Sequence, residues 1–135
     1  MDATAIYIER LEQAVRVMTN LSEDDRAQFD IAVVAIRKET GVRACIAGHC
    51  GLDPWFQAQG LYTHVDYDCN DYLIGNLSIG VGEFFGTSKP FLRSEYPLRL
   101  PDGHEDVTVA DAIAGLERAI EQFKSRIEEP VDCHL

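Results

Sequence analysis

The segment RACIAGHCG, residues 43–51, holds the side chains with the most reactive chemistry in this chain. Cys45, His49 and Cys50 lie close together in it. In a helix, Cys45 and His49 are four residues apart and share a face, so they could supply two ligands to a zinc ion. The same pair could act as a thiol nucleophile and its base. The third interpretation is a buried structural cysteine beside a tightly packed Gly48.

The sequence completes neither of the two reactive sites. A closed zinc site needs four ligands. The further cysteines and histidines are scattered along the chain: His64, Cys69, His104, Cys133 and His134. A third residue or an oxyanion loop for a cysteine enzyme is not identifiable either. We therefore expect a protein that is not an enzyme and has no cofactor, with zinc on Cys45 and His49 as the alternative.

Two further segments begin like ligand-binding loops and then depart from the pattern. The stretch DYDCNDY, residues 66–72, starts like an EF-hand loop. Asp71 stands where that loop has its turn glycine, and Leu77 stands where it has its bidentate glutamate. The glycine-rich segment 75–86 lacks the Lys-Ser/Thr pair that a phosphate loop requires. Neither segment predicts a calcium or nucleotide site.

The charge of the chain is strongly negative and uneven. Twelve Lys and Arg against 23 Asp and Glu give a net charge of −11. Such a surface repels phosphates and anionic lipid headgroups, so direct binding to nucleic acid or membrane is not expected. Residues 44–88 contain no Lys or Arg, and we predict that their carboxylates form an acidic binding surface: Asp53, Asp66, Asp68, Asp71 and Glu83. The alternative is a solvated face that only keeps the protein soluble.

The N-terminal stretch and the cysteines predict a cytoplasmic protein. MDATAIYIERLEQ is charged and amphipathic and lacks the apolar run of a signal peptide. Four cysteines are few for a disulfide scaffold of this length. We therefore expect all four to be thiols.

Hydrophobic periodicity predicts a mainly α-helical fold with a minor β element, in one compact domain over residues 1–135. Apolar spacing and turn residues predict helices before the last one over 4–20, 23–39, 44–50 and 73–85. Residues 23–39 suit a buried strand as well, and their length favours a helix. Weak alternation predicts a strand over 96–100, and we expect residues 129–135 to fray.

The last helix carries the strongest pattern in the chain. Thr108 and Asp111 have the spacing of a capping box, and Pro130 marks the end. An apolar stripe follows the cap at alternating steps of four and three: Val109, Ile113, Leu116, Ile120, Phe123 and Ile127. The pattern predicts a long amphipathic helix that docks on its own domain, with a homodimer through 109–127 as the alternative.

Several short segments together resemble small uncharacterised proteins of phages and prophages. The segments are Phe29-Asp30-Ile31, Ala44 to His49, Phe84 to Ser88, Pro90-Phe91-Leu92 and Tyr96-Pro97. Those proteins share an F-D-M stretch, a C-G-T-x-x-C-I-A-G-H/W signature, a leucine-glycine-leucine helix end and a W-P after a short L-F. The chain departs from the pattern at Thr40-Gly41-Val42, where the family has Cys-Gly-Thr. The resemblance covers residues 8–127 and implies a phage origin without implying a reaction.

Charge and resemblance together favour a small acidic interaction protein that binds and blocks a basic host protein in the host cytoplasm. A nucleic-acid-binding defence complex is the expected target class, which makes the chain an anti-CRISPR candidate. The alternative is a metal- or small-ligand-binding domain, catalytic or not, centred on Cys45 and His49. Its aromatic neighbours would be Trp55, Phe56 and Tyr62. A third hypothesis is a phage accessory protein whose acidity serves only solubility.

Overall fold

The computed structural model describes residues 4–31, 35–38, 41–67, 73–92, 96 and 107–128. Its helices are α1 (Thr4–Thr19), α2 (Glu23–Ala27), α3 (Ile46–Cys50), α4 (Pro54–Gln57), α5 (Val81–Phe85) and α6 (Val109–Glu128), with a 3₁₀ helix at Lys89–Phe91. Its strands are β1 (Ala35–Lys38), β2 (Gly41–Ala44), β3 (Thr63–Tyr67) and β4 (Leu73–Leu77). The predicted strand over 96–100 lies outside the described residues except for Tyr96, and so does the tail 129–135.

Two long helices, α1 and α6, pack against each other and confirm the mainly α-helical prediction. Helix α1 buries Leu11, Ala14 and Met18, which recur at the spacing of one helical face. The Tyr7 ring of α1 lies 5.8 Å from the Phe123 ring of α6. The predicted docking of the last helix on its own chain is therefore present, and a homodimer through 109–127 stays a prediction. Among the described helices, none is both long enough and apolar enough to cross a membrane.

The capping box at the start of α6 forms as predicted. The Thr108 backbone N–H donates to Asp111 Oδ2 at 3.0 Å, and the Asp111 N–H donates to Thr108 Oγ1 at 3.1 Å. These reciprocal bonds satisfy backbone donors that a helix start leaves without intrahelical partners. Two neighbouring side chains thus set the beginning of the longest helix.

The helix predicted over 23–39 is wrong beyond its first turns. Helix α2 ends at Ala27, and β1 and β2 then form an antiparallel hairpin in which Lys38 pairs with Gly41. The Asp30 N–H donates to Ala44 O at 3.1 Å, and Arg43 forms an ion pair with the Asp30 carboxylate at 2.5 Å. These contacts with β2 outweigh a helical pattern that the β-branched content of the segment already weakened.

The helix predicted over 73–85 is wrong in its first part and confirmed in its last. Residues Leu73–Leu77 form β4, and only Val81–Phe85 is helical, ending at Gly86 with a left-handed φ of 78°. The four-stranded antiparallel sheet has the order β2-β1-β4-β3, so β4 bonds to neighbours on both sides. This pairing across the sheet determines the strand, because apolar residues alone do not distinguish a buried strand from a helix.

The core joins the α1–α6 pair to the short helices. Phenylalanine rings from α4, α5 and the 3₁₀ helix stack into one cluster: Phe56, Phe84, Phe85 and Phe91. Arg10 of α1 closes one side of it, with its guanidinium 3.9 Å from the centre of the Phe84 ring. The same guanidinium donates to Phe84 O at 2.7 Å and to Gln59 Oε1 at 3.0 Å. Helix α3 lies against α1, β3 and β4, which places the Cys45–His49 segment deep in the fold.

Candidate functional site

The short helix predicted over 44–50 is confirmed, with Cys45 at its N-cap instead of inside it. The Gly48 N–H donates to Cys45 Sγ at 3.4 Å, and the His49 N–H donates to Cys45 O at 3.0 Å. All five residues of α3, Ile46–Cys50, are buried. The Cys45 thiol therefore caps α3, which agrees with the interpretation as a structural cysteine beside Gly48.

The environment of both described cysteines favours thiols over thiolates. Burial raises the pKa of the Cys45 thiol, although backbone N–H groups at the start of α3 act in the opposite direction. Complete burial raises the pKa of Cys50 well above its ordinary value. A nucleophilic cysteine needs a lowered pKa. These surroundings are those of structural cysteines, with Cys50 buried and Cys45 partly buried.

His49 is the buried polar side chain of the described core. His49 is only 5% exposed, and its Nε2 atom has no hydrogen-bond partner among the described residues. Burial lowers the pKa of His49, and the nearby Asp25 carboxylate opposes that effect. The imidazole is therefore neutral near pH 7, with a ring nitrogen whose hydrogen bond is unmade.

The described residues do not gather a metal centre. Within them, no group of three or more His, Cys, Asp or Glu side chains is arranged to hold an ion. His64 lies in β3, whereas Cys69, His104, Cys133 and His134 fall outside the described part of the chain. Zinc on Cys45 and His49 stays a prediction that would need ligands from those other segments.

His49 lines a groove of about 380 Å³ between three parts of the fold. The C-terminal half of α1 supplies Arg16, the start of α2 supplies Asp25, and the turn after α3 supplies Leu52 and Asp53. We call this the His49 groove. The sequence singled out His49 and Asp53 but missed Asp25, whose place in the first turn of α2 is also the place of an ordinary helix-start acid.

The five carboxylates of the predicted acidic surface occupy different structural settings. Asp53 is the N-cap of α4, and its Oδ2 accepts a hydrogen bond from the Trp55 N–H at 3.1 Å. Glu83 is exposed in the first turn of α5. Asp66 lies in β3, and Asp68 and Asp71 lie outside the described residues. Of the described elements that carry these residues, α4 and α5 meet through the Phe56 and Phe84 rings.

The aromatic residues proposed around a ligand site do not share one role. Phe56 is fully buried in the core and packs edge-on against Trp55, with ring centres 5.0 Å apart. Tyr62 is 41% exposed and comes immediately before β3. Phe56 therefore serves packing, and none of these three aromatic residues lines the His49 groove.

Comparison with protein-family models, with curated proteins and with solved structures gives no match to this chain. The resemblance to phage proteins accordingly stays a prediction. What the geometry itself provides is an acidic chain whose one buried imidazole, among the described residues, lines a groove between helices.

Proposed function

We propose that this chain is a small acidic protein that binds and blocks a basic protein partner. The observation that carries the proposal is the net charge of −11 combined with a stretch, residues 44–88, that contains no Lys or Arg. Long-range attraction from such a charge speeds encounter with a positive surface and disfavours negative ones. Basic partners include proteins whose own ligand is nucleic acid, because their phosphate-binding grooves are positive.

The packing of the described cations supports this proposal. Arg10 lies beside the cation-free stretch, but its guanidinium is held by Gln59, Phe84 O and the Phe84 ring. Burial also lowers the pKa of Arg10. This cation keeps its charge, and its contacts with Gln59 and Phe84 fix it against the core. Exposed acids continue on α2, where Glu23 and Asp24 stand in the first turn.

Taken with the resemblance to phage proteins, the proposal places the chain in a bacterial host cell as a counter-defence protein. Its target would be a nucleic-acid-binding defence complex, in which an acidic protein can occupy the site for phosphates. The anti-CRISPR assignment belongs to this part of the proposal.

The test is the salt dependence of binding to a basic partner captured from a host lysate and then purified. We expect the affinity to fall at least about tenfold between about 50 mM and about 300 mM salt, because screening shortens the reach of surface charges. Glu83→Gln should weaken binding at low salt. Glu117→Gln, an exposed acid on α6, is the control for loss of one charge outside the stretch.

A partner that binds equally well at both salt concentrations contradicts the proposal, and so does the absence of any basic partner. If there is no basic partner, the negative charge serves only to keep the protein soluble. Equal effects of Glu83→Gln and Glu117→Gln would show that net charge, rather than the cation-free stretch, drives the binding.

A further inference from the structure

We propose that the His49 groove receives an arginine side chain of the basic partner. This inference rests on the proposed function and deepens it, because it names the residue type that is recognised and the place where it binds. The groove has a volume of about 380 Å³ and lies between the C-terminal half of α1, the start of α2 and the turn from α3 to α4.

The first argument is the unmade hydrogen bond of His49. Buried polar atoms in folded proteins are nearly always hydrogen-bonded, so an exception needs an explanation. Nε2 of His49 is such an exception among the described residues, and the residue lines the groove. Nε2 has almost no accessible surface, so a ligand in the groove brings an N–H group to it once the imidazole turns toward the groove.

The second argument is the charge along the groove walls. Two carboxylates, Asp25 and Asp53, line it from different elements, together with one guanidinium, that of Arg16. Arg16 is exposed and donates from Nε to Gln13 Oε1 on the same helix at 2.8 Å. Asp53 uses Oδ2 to cap α4, and a carboxylate has lone pairs for further donors. The walls therefore favour a cationic ligand.

The third argument is the apolar part of the groove. Val17, Leu21, Leu52 and Pro54 line it beside the polar groups. A long cationic side chain lays its aliphatic stem on such a surface and keeps its charged head among acceptors. Arginine suits separated acceptors better than lysine, because its planar guanidinium presents five N–H donors in a fork whereas an ammonium concentrates its donors at one point.

The experiment uses the full chain and a defined probe, Nα-acetyl-arginine amide, followed by NMR at the His49 imidazole. The His49 resonance is identified as the one missing from His49→Gln. We expect a saturable shift with a dissociation constant in the millimolar range, as befits a single side chain. The neutral isostere Nα-acetyl-citrulline amide should produce no saturable shift, and the lysine analogue should bind more weakly.

Matched variants then test the two carboxylates. Asp25→Asn and Asp53→Asn remove one charge each, and asparagine preserves the N-cap at position 53. We expect each to raise the dissociation constant about three- to fivefold, the range for a partly exposed ion pair. Glu117→Gln, an exposed acid on α6 outside the groove lining, should leave it unchanged.

The inference is overturned if citrulline and arginine amides shift His49 equally, if the shift never saturates, or if neither aspartate variant weakens binding. The comparison of the two amides uses the unmodified chain, so it decides the matter even where a variant does not fold. Salt-dependent partner binding without arginine binding at His49 would sink this inference and leave the proposed function intact. Arginine binding at His49 without any basic partner would overturn the proposed function and, with it, the assignment of the arginine to that partner.

Discussion

Helices α3 and α6 are held in place by different interactions, and the contrast shows what local sequence does and does not determine. Helix α6 has 20 residues with one buried face and one exposed face. Helix α3 has five residues, and all five are buried. A stripe of apolar side chains positions α6. Backbone contacts with neighbouring elements position α3.

The position of α6 follows from residues within it or beside it. Thr108 and Asp111 cap its start, and Leu116, Ile120 and Phe123 are buried at helical spacing. An amphipathic face needs only one apolar surface on which to dock, and α1 supplies it. Such a helix is specified mainly by side-chain volume and apolarity.

The position of α3 depends instead on a residue twelve or more positions away. Thr63, the first residue of β3, donates its hydroxyl to Gly48 O at 2.9 Å and its N–H to Gly51 O at 3.1 Å. These carbonyls at the end of α3 lack a continuing helix, so β3 supplies their partners. Gly51 must stay small for the two backbones to approach this closely.

The largest expected effect is in α6. Leu116 is fully buried, so Leu116→Ala removes its apolar contacts and leaves a cavity. We expect a loss of about 2–5 kcal/mol in the free energy of unfolding, measured by chemical denaturation. Glu117→Ala, the exposed neighbour, is the control and should stay within about 0.5 kcal/mol of the unmodified chain. Equal effects of the two variants would break the description of α6 as a one-sided helix.

The second effect tests the close approach at the end of α3. Gly51 has an ordinary helical φ of −67°, so alanine is allowed by its backbone. An added Cβ would overlap Thr63 Oγ1 and lie 2.6 Å from the Thr63 nitrogen. We expect Gly51→Ala to destabilise the fold by about 1–3 kcal/mol.

Gly82→Ala is the matched control for Gly51→Ala. In α5 the nearest atom to an added Cβ is Ser88 Cβ at 4.0 Å, so alanine fits without overlap. It should stabilise by up to about 1 kcal/mol, since glycine is a poor helix former. Changes of opposite sign in the free energy of unfolding would sharpen the contrast between α3 and α6. A Gly51→Ala variant as stable as the unmodified chain would contradict the tight contact between Gly51 and Thr63.

The smallest expected effect is the pH dependence that His49 contributes. Burial lowers its pKa in the folded chain, so the unfolded chain binds the proton more readily. The folded state should therefore lose stability as the pH falls through about 6.5, by at most about 1.4 kcal/mol per pH unit. Denaturation between about pH 7.5 and about pH 5.5 should show a smaller loss for His49→Gln. If His49→Gln lost stability as steeply as the unmodified chain, His49 would not be a residue that takes up a proton on unfolding.

Hydrophobic spacing and capping residues predicted the parts of the fold that depend on neighbouring residues in the sequence. The two long helices, the cap at Thr108 and the end of α5 at Gly86 all depend on nearby residues. Strands β1 and β4 were mistaken for helix, although only their pairing with each other joins segments that are distant in sequence. Buried strands and short buried helices have similar apolar sequences.

The candidate site was predictable only in pieces. His49 stood out by its residue type, and Asp53 stood out as a carboxylate in a stretch without cations. Asp25 and Arg16 belong to other helices, and nothing in their spacing relates them to His49. Only the packing of α1, α2 and α3 brings these side chains to one groove.

The two hydrogen bonds from Thr63 also have a consequence for local unfolding of the protein. Because β3 completes the carbonyl end of α3, neither element can detach without breaking the hydrogen bonds of the other. The amides at Gly51 and Thr63 should therefore exchange with deuterium together, as one cooperative opening unit, while the outer turns of α1 exchange independently.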